Sequence, residues 1–249
     1  MGRVLITKPA SQQAPWQSAL SAAGWDPVSL PLLALEDLPE TTEQRATWLD
    51  LDHFQGVVLI SPHAALRCAA ALDQYWPQPP VCIHWLAPGP GTANALSAEQ
   101  PLIQVIYPDH GHTSEDLLAL PETQTVEGQR WLLVAGEGGR EVISETLEAR
   151  GARITRLALY RRRALALSPG QQQLLTGDPP IIQLSSRMAL ESLTSQAPLV
   201  TKQEATLLVS SQRLAETAHE WGWRRILQAD GASLNATLDS LAAYRTKQP

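Results

Sequence analysis

What most constrains the fold of this chain is a pattern that occurs twice. Arg3–Gly24 reads as a short apolar run, an amphipathic helical stretch and a glycine, and Arg130–Gly151 repeats it. Gly56–Asp73 resembles Pro180–Leu193, and Val81–Ala98 resembles Thr206–Gly222; Val57 precedes Ile83 by 26 residues and Ile181 precedes Thr206 by 25. The first of these pieces opens one set and closes the other. That order predicts a continuous domain over 37–158 inserted into a discontinuous one made of 1–30 and 168–249, with connectors at 31–36 and 159–167. Val28–Leu35 and Ile154–Ala164, both extended in character, are expected to pair as a two-stranded bridge between the two. A working site is expected in the cleft between the domains, with the thin bridge as a hinge.

The class follows from the apolar runs themselves. Val4–Ile6, Val57–Ile60, Ile83–Leu86, Trp131–Ala135, Ile181–Leu184 and Leu207–Val209 are continuous rather than alternating, as strands buried on both faces of a parallel sheet are. Helical patterns follow them. Ser61-Pro62 offers an N-cap serine with proline at the first helical position. Thr41 with Gln44 forms a capping box, and Gly24, Gly151 and Gly222 read as C-terminal stops. Alternating strand and helix predicts an α/β fold with doubly wound, parallel sheets.

Charge and composition exclude several roles. A net charge of −6 on 249 residues speaks against nonspecific nucleic-acid binding. No apolar stretch approaches the ~20 residues that span a bilayer, so no membrane role is expected. The chain opens directly on the strand-like Arg3-Val4-Leu5-Ile6-Thr7, which predicts a cytoplasmic protein. Cys68 and Cys82 lie in apolar surroundings without metal or redox spacing and read as buried free thiols. The eight tryptophans fall mostly at strand or helix positions and read as packing residues.

In open parallel sheets, ligands bind beyond the carboxyl ends of the strands. There this sequence places Thr7-Lys8-Pro9, Ser61-Pro62-His63, Pro88–Thr92, Gly136–Arg140, Ser185-Ser186-Arg187 and Ser210–Arg213. Small residues leave backbone N–H groups bare at helix starts, where the dipole favours an anion. Lys8, Arg140, Arg187 and Arg213 add charge at comparable positions. Together these describe a multi-point receptor for a polyanion; alternatively, Ser61, Ser185 and Ser210 simply cap their own helices. Gly136-Glu137-Gly138-Gly139 is not a dinucleotide fingerprint, and neither a phosphate-binding P-loop nor a G-x-S-x-G elbow is present. Asp109, His110 and His112 imitate a metal set but sit in a loop, which favours surface polar residues. Tyr160 stands apart. In Leu157-Ala158-Leu159-Tyr160-Arg161-Arg162, strict alternation puts Leu157 and Leu159 on one face and Tyr160 on the other. A phenol is ordinarily protonated at pH 7 and can donate a proton to a leaving group.

These pieces, taken in order, resemble uroporphyrinogen-III synthases over nearly the whole chain. The likeness is carried by Val4–Pro9, Ile60–Ala64, Gly91-Thr92-Ala93, Gly136–Arg140 with Leu147–Gly151, Leu157–Arg162, Ser185-Ser186 and Ala229–Leu241. It implies two flavodoxin-like domains joined by a two-stranded connector. It implies a lyase of porphyrin (haem) biosynthesis that closes the linear tetrapyrrole hydroxymethylbilane to uroporphyrinogen III, with loss of water and inversion of ring D. The substrate's eight carboxylates suit a polyanion receptor, and pyrrole itself supplies the electrons, so neither metal nor organic cofactor is implied. Tyr160 becomes the expected general acid, with Lys8, Ser61, Thr92, Gly136, Arg140, Ser185, Ser186 and Ser210 as substrate contacts. A monomer is expected, with transient contact to the enzyme of the preceding step. Two departures stand out: Lys8 replaces the usual arginine, giving a point charge instead of a fork, and Ser210-Ser211-Gln212-Arg213 replaces a glycine-containing turn with threonine. The competing expectation is a noncatalytic two-domain sensor of a small polyanion. A nucleotide-sugar transferase would need a pyrophosphate loop that is not found.

Overall fold

A computed structural model of the protein describes residues 2–111, 113–139, 141–176 and 178–246. The chain divides into two units, Met1–Leu35 with Arg163–Pro249, and Glu36–Arg162. Among the described residues the strands are β1 (Arg3–Ile6), β2 (Asp26–Ser29), β3 (Leu33–Asp37), β4 (Gly56–Leu59), β5 (His84–Leu86), β6 (Val105–Ile106), β7 (Arg130–Gly136), β8 (Arg153–Ala164), β9 (Ile181–Leu184), β10 (Thr206–Val209) and β11 (Arg225–Gln228). The helices are α1 (Ala14–Ala22), α2 (Thr42–Leu49), α3 (Pro62–Tyr75), α4 (Pro90–Glu99), α5 (Ser114–Leu118), α6 (Val142–Ala149), α7 (Pro169–Gln173), α8 (Arg187–Gln196), α9 (Leu199–Glu204), α10 (Gln212–Glu220) and α11 (Leu234–Thr246).

The first unit carries a five-stranded parallel sheet in the order β11-β10-β9-β1-β2. Counted along its own chain this is the flavodoxin order 2-1-3-4-5. Its inner strands β1, β9 and β10 are buried on both faces. Leu5, Ile182, Leu184, Leu207 and Val209 pack under Leu190, Leu193 and Leu214, while Val4, Ile6, Ile181 and Leu208 meet Trp16, Leu20 and Leu241.

The second unit carries a six-stranded sheet, β3-β8-β7-β4-β5-β6, parallel from β8 to β6. Counting from β7, the order β8-β7-β4-β5-β6 is again 2-1-3-4-5, so the second unit is a circular permutation of the first. That is why the repeat in the sequence has its first piece at opposite ends of the two sets: β7 corresponds to β1, β4 to β9 and β5 to β10. Trp131, Leu133 and Val58 pack against α5 and α6 through Leu117, Leu118, Ile143 and Leu147. Ala64, Ala65, Cys68, Ala69 and Leu72 form the buried stripe of α3.

The α/β class, the parallel sheets and the two-stranded connector agree with the sequence reading. The chain crosses between units within β3 and β8, which are neighbours in the second sheet. Val28–Leu35 is not one strand, however. It breaks at Leu30–Leu32 into β2 and β3, because Pro31 has no N–H to continue a ladder. The capping box at Thr41 and Gln44 is present, and Gly24, Gly151 and Gly222 have positive φ at helix ends. Cys68 is buried as expected, but Cys82 is exposed, with φ +64°. Between α3 and β5 the chain carries Pro77, Pro79 and Pro80, and such a segment runs over the surface because its carbonyls need solvent.

Candidate functional site

In the second unit the site is built where β4, β7 and β8 end. Strict alternation along β8 fails there: Ala135 is opposite Ala158 and Gly136 opposite Tyr160, so Leu159 is an extra residue in a bulge. A bulge re-aims the side chains beside it. Leu159 therefore joins Arg67, Ala70 and Ala71 of α3 in lining a hollow, and Tyr160 meets Ser61 and His63 at the start of the same helix. The two residues share a face, contrary to the period-2 reading. The Glu137 N–H donates to the Tyr160 carbonyl at 2.7 Å and locks the bulge.

Gly136 makes room for the ring. A Cβ there would lie 2.7 Å from Cε2 and Cζ of Tyr160. Its backbone, not any side chain, is what the position requires.

Ser61 is the N-cap of α3: its Oγ accepts from the Ala64 N–H at 3.1 Å, with Pro62 in the first turn. The same Oγ lies 2.8 Å from the Tyr160 Oη. The His63 ring stands at 82° to the Tyr160 ring with centroids 4.7 Å apart, and its Nε2 lies 2.8 Å from Asp37 Oδ1. Asp37 Oδ2 faces Arg67 Nη1 at 3.4 Å. Arg162, an exposed side chain two residues along β8, brings Nη2 to 3.5 Å from the Tyr160 Oη, with its guanidinium 5.7 Å from the ring centroid. Tyr160 itself is 1% exposed. The arrangement is a shielded phenol with a hydroxyl, an imidazole and a guanidinium around it, at the positive end of a 14-residue helix.

Thr92 is buried in the first turn of α4, whose N-cap is Gly89, and its hydroxyl makes no hydrogen bond among the described residues. Arg140 lies outside the described residues, as does His112.

The first unit has its own cluster at the ends of β1 and β9. Lys8 donates to Ser185 Oγ at 3.5 Å and lies 4.3 Å from the centre of the Trp16 ring. Burial without a carboxylate partner pushes the Lys8 ammonium down from 10.5 to about 8. The serines divide by whether they cap a helix. Ser186 caps α8 through the Ala189 N–H and Ser211 caps α10 through the Leu214 N–H. Ser185 and Ser210 do not cap, and the Ser210 hydroxyl has no hydrogen bond among the described residues. Arg187 stacks near Trp221, 5.9 Å from its ring centre.

Of the residues expected from the sequence, the structure brings Tyr160, Ser61 and Gly136 together in one place and Lys8 and Ser185 in another. Sequence reasoning missed Asp37, His63 and Arg162 as members of the Tyr160 cluster. Arg162 was legible from its i+2 spacing, whereas Asp37 reaches His63 only through the sheet.

Comparison with known proteins gives one answer. The family profile described as uroporphyrinogen-III synthase HemD matches residues 14–242. The chain is 32% identical over 250 residues to the uroporphyrinogen-III synthase of Escherichia coli strain K12, covering 96% of this chain and 99% of that one. It is 34% identical over 248 residues to the Salmonella typhimurium LT2 enzyme of the same description, with the same coverage. Among solved structures, uroporphyrinogen-III synthetase from Helicobacter pylori 26695 matches with a TM-score of 0.66 at 15% identity, over 98% of this chain and 100% of that one. A mutant uroporphyrinogen III synthase from the extremely thermophilic bacterium Thermus thermophilus matches over the whole of both chains with a TM-score of 0.61 at 18% identity. At these identities the structural likeness speaks for the fold.

Proposed function

This chain belongs to the uroporphyrinogen-III synthase family, and from that premise we propose that Tyr160 is the general acid of the reaction. The activity is that of a cyclising lyase of haem biosynthesis, which closes hydroxymethylbilane to uroporphyrinogen III with inversion of ring D and release of water. The chemistry asks little of the protein beyond geometry and one proton. Protonation of the terminal hydroxyl lets its C–O bond break, and the adjacent pyrrole nitrogen donates its electron pair to give an azafulvene. The substituted carbon of ring D attacks that carbon, and the spiro intermediate fragments and recloses with the ring turned over. Holding one reactive conformer supplies up to several kcal/mol of the ~10 kcal/mol that well-oriented reactions can gain.

The observation that carries the assignment is the buried Tyr160 hydroxyl, 2.8 Å from Ser61 at the end of the sheet. Shielding from water favours proton transfer to a bound partner over exchange with solvent. With Tyr160 only 1% exposed, the reading also requires a rearrangement that uncovers the phenol when substrate binds. Lys8, Ser185, Ser186 and Ser210 in the first unit, and Thr92, Arg140 and the backbone after Gly136 in the second, are the proposed holders of substrate carboxylates. Each helix end contributes only about 0.3–1 kcal/mol, so affinity is a sum of weak contacts.

Tyr160→Phe is expected to lower turnover roughly 10–100-fold, with an unchanged circular dichroism spectrum. Turnover equal to wild type in that folded variant removes Tyr160 from the role. Oxidising the product and separating porphyrin isomers reads the outcome, because the unaided closure gives the unflipped isomer I. The same reading has the chain act in the cytoplasm as a monomer, consistent with its net charge of −6. Hydroxymethylbilane then arrives through a transient contact with the enzyme that makes it, which sedimentation of the two proteins together would detect.

A further inference from the structure

The Tyr160 hydroxyl has one proton to give and lone pairs to fill, and the groups around it decide which way that proton points. If Tyr160 donated to Ser61, its proton would be turned away from substrate. The Ser61 oxygen accepts from the Ala64 N–H at 3.1 Å as the cap of α3, and its own hydroxyl proton can be offered at 2.8 Å to the Tyr160 Oη, a contact in which either oxygen can donate. Arg162 has only donors, and its Nη2 approaches the same oxygen at 3.5 Å. With both as donors, the phenol's remaining polar direction is outward donation of its own proton.

We propose that Ser61 and Arg162 are positioning residues that orient Tyr160 as a proton donor and hold the charge left on its oxygen. The inference rests on the reading of Tyr160 as the acid. When the proton passes to the substrate hydroxyl, the O–H electron pair stays on Oη and water departs with the C–O pair. Ring closure later releases a proton from the attacked pyrrole unit, which restores the phenol, so the proton count closes. The 3.5 Å Arg162 contact is long in the resting state. It tightens as Oη becomes anionic, because hydrogen bonds to charged oxygen are shorter and stronger. An interaction that strengthens on the way to the transition state raises turnover without tightening ground-state binding. The Ser61 hydroxyl therefore acts through Tyr160 and not as a direct carboxylate ligand.

The test is a double-mutant cycle on the full chain with hydroxymethylbilane as substrate. Ser61→Asp keeps an acceptor that caps α3 but has no proton to donate; Arg162→Met keeps the stem and removes the guanidinium. Each is expected to lower kcat about tenfold with KM within about twofold, and Arg162→Lys and Ser61→Thr should recover most of the loss. On a Tyr160→Phe background neither substitution should lower kcat further, because their effects pass through the phenol. Wild-type kcat in Arg162→Met, or losses that add in full on Tyr160→Phe, overturns the proposal while leaving Tyr160 as the acid. If Tyr160→Phe alone turns over like wild type, it is the acid assignment that fails. Arg162 is exposed, so its variants keep the cycle decisive even if Ser61→Asp does not fold.

Discussion

Replacing Lys8 with methionine should make the first unit more stable at pH 7 and weaken its hold on substrate. Burial lowers the Lys8 ammonium from 10.5 to about 8; at 1.36 kcal/mol per pH unit this corresponds to about 3 kcal/mol of cost for keeping the charge in the folded state. The cost is present in full below pH 8, where folded and unfolded chains are both protonated. Between pH 8 and 10.5 the folded state gives up its proton first, the unfolded state binds more, and wild-type stability rises with pH. Above 10.5 both are neutral and the cost is gone. Methionine keeps the apolar stem, but the Trp16 contact at 4.3 Å is lost, at about 0.5–1 kcal/mol. The net gain is therefore about 2 kcal/mol at pH 7, shrinking to nothing or reversing near pH 10.5. Urea unfolding of wild type and Lys8→Met at steps from pH 7 to 10.5, followed by circular dichroism, measures the difference directly. A variant no more stable than wild type at pH 7, or a difference flat across that range, refutes the reasoning. On the proposal that Lys8 holds a substrate carboxylate, losing the charge should also raise KM.

Gly136→Ala should displace the Tyr160 ring, whose Cε2 and Cζ lie 2.7 Å from the new methyl group. Turnover is expected to fall tenfold or more, with a stability loss of about 1–3 kcal/mol from overpacking; wild-type turnover would show that the ring's placement is not critical. Thiol titration of the native protein should find one reactive group, because Cys82 is exposed and Cys68 is buried with its thiol pushed well up by desolvation. Both should react in denaturant, and two fast thiols in the native state would contradict the packing of α3.

Much of the fold was legible because the central strands are buried on both faces, and burial on both faces leaves an unbroken apolar run. Val4–Ile6, Trp131–Ala135 and Leu207–Val209 fall inside β1, β7 and β10 for that reason. The edge strands β6 and β11 were not legible. β6 is two half-buried residues and β11 is exposed at both ends, so neither carries a run distinct from a loop. At the site, Tyr160 was visible as a phenol in the alternating stretch Leu157–Arg162, but its orientation was not. The bulge at Leu159 depends on where the β7 ladder shifts between Ala135 and Gly136, a register property that alternation within one strand does not contain. Ser185 and Ser186 were indistinguishable by composition; which one caps α8 is set by where the helix begins.

The strand order of the first unit has a consequence for synthesis. β1 lies inside its sheet between β2 and β9, and β9 begins only at Ile181. At a ribosomal pace of ~5–20 residues per second, β1 waits roughly 9–35 s for its second neighbour. In that interval all the strands of the inserted unit become available. The strands of the inserted unit are thus all made before β1 has its second neighbour, and Val4, Leu5 and Ile6 stay uncovered on one edge until β9 emerges, an interval in which a chaperone has something to hold.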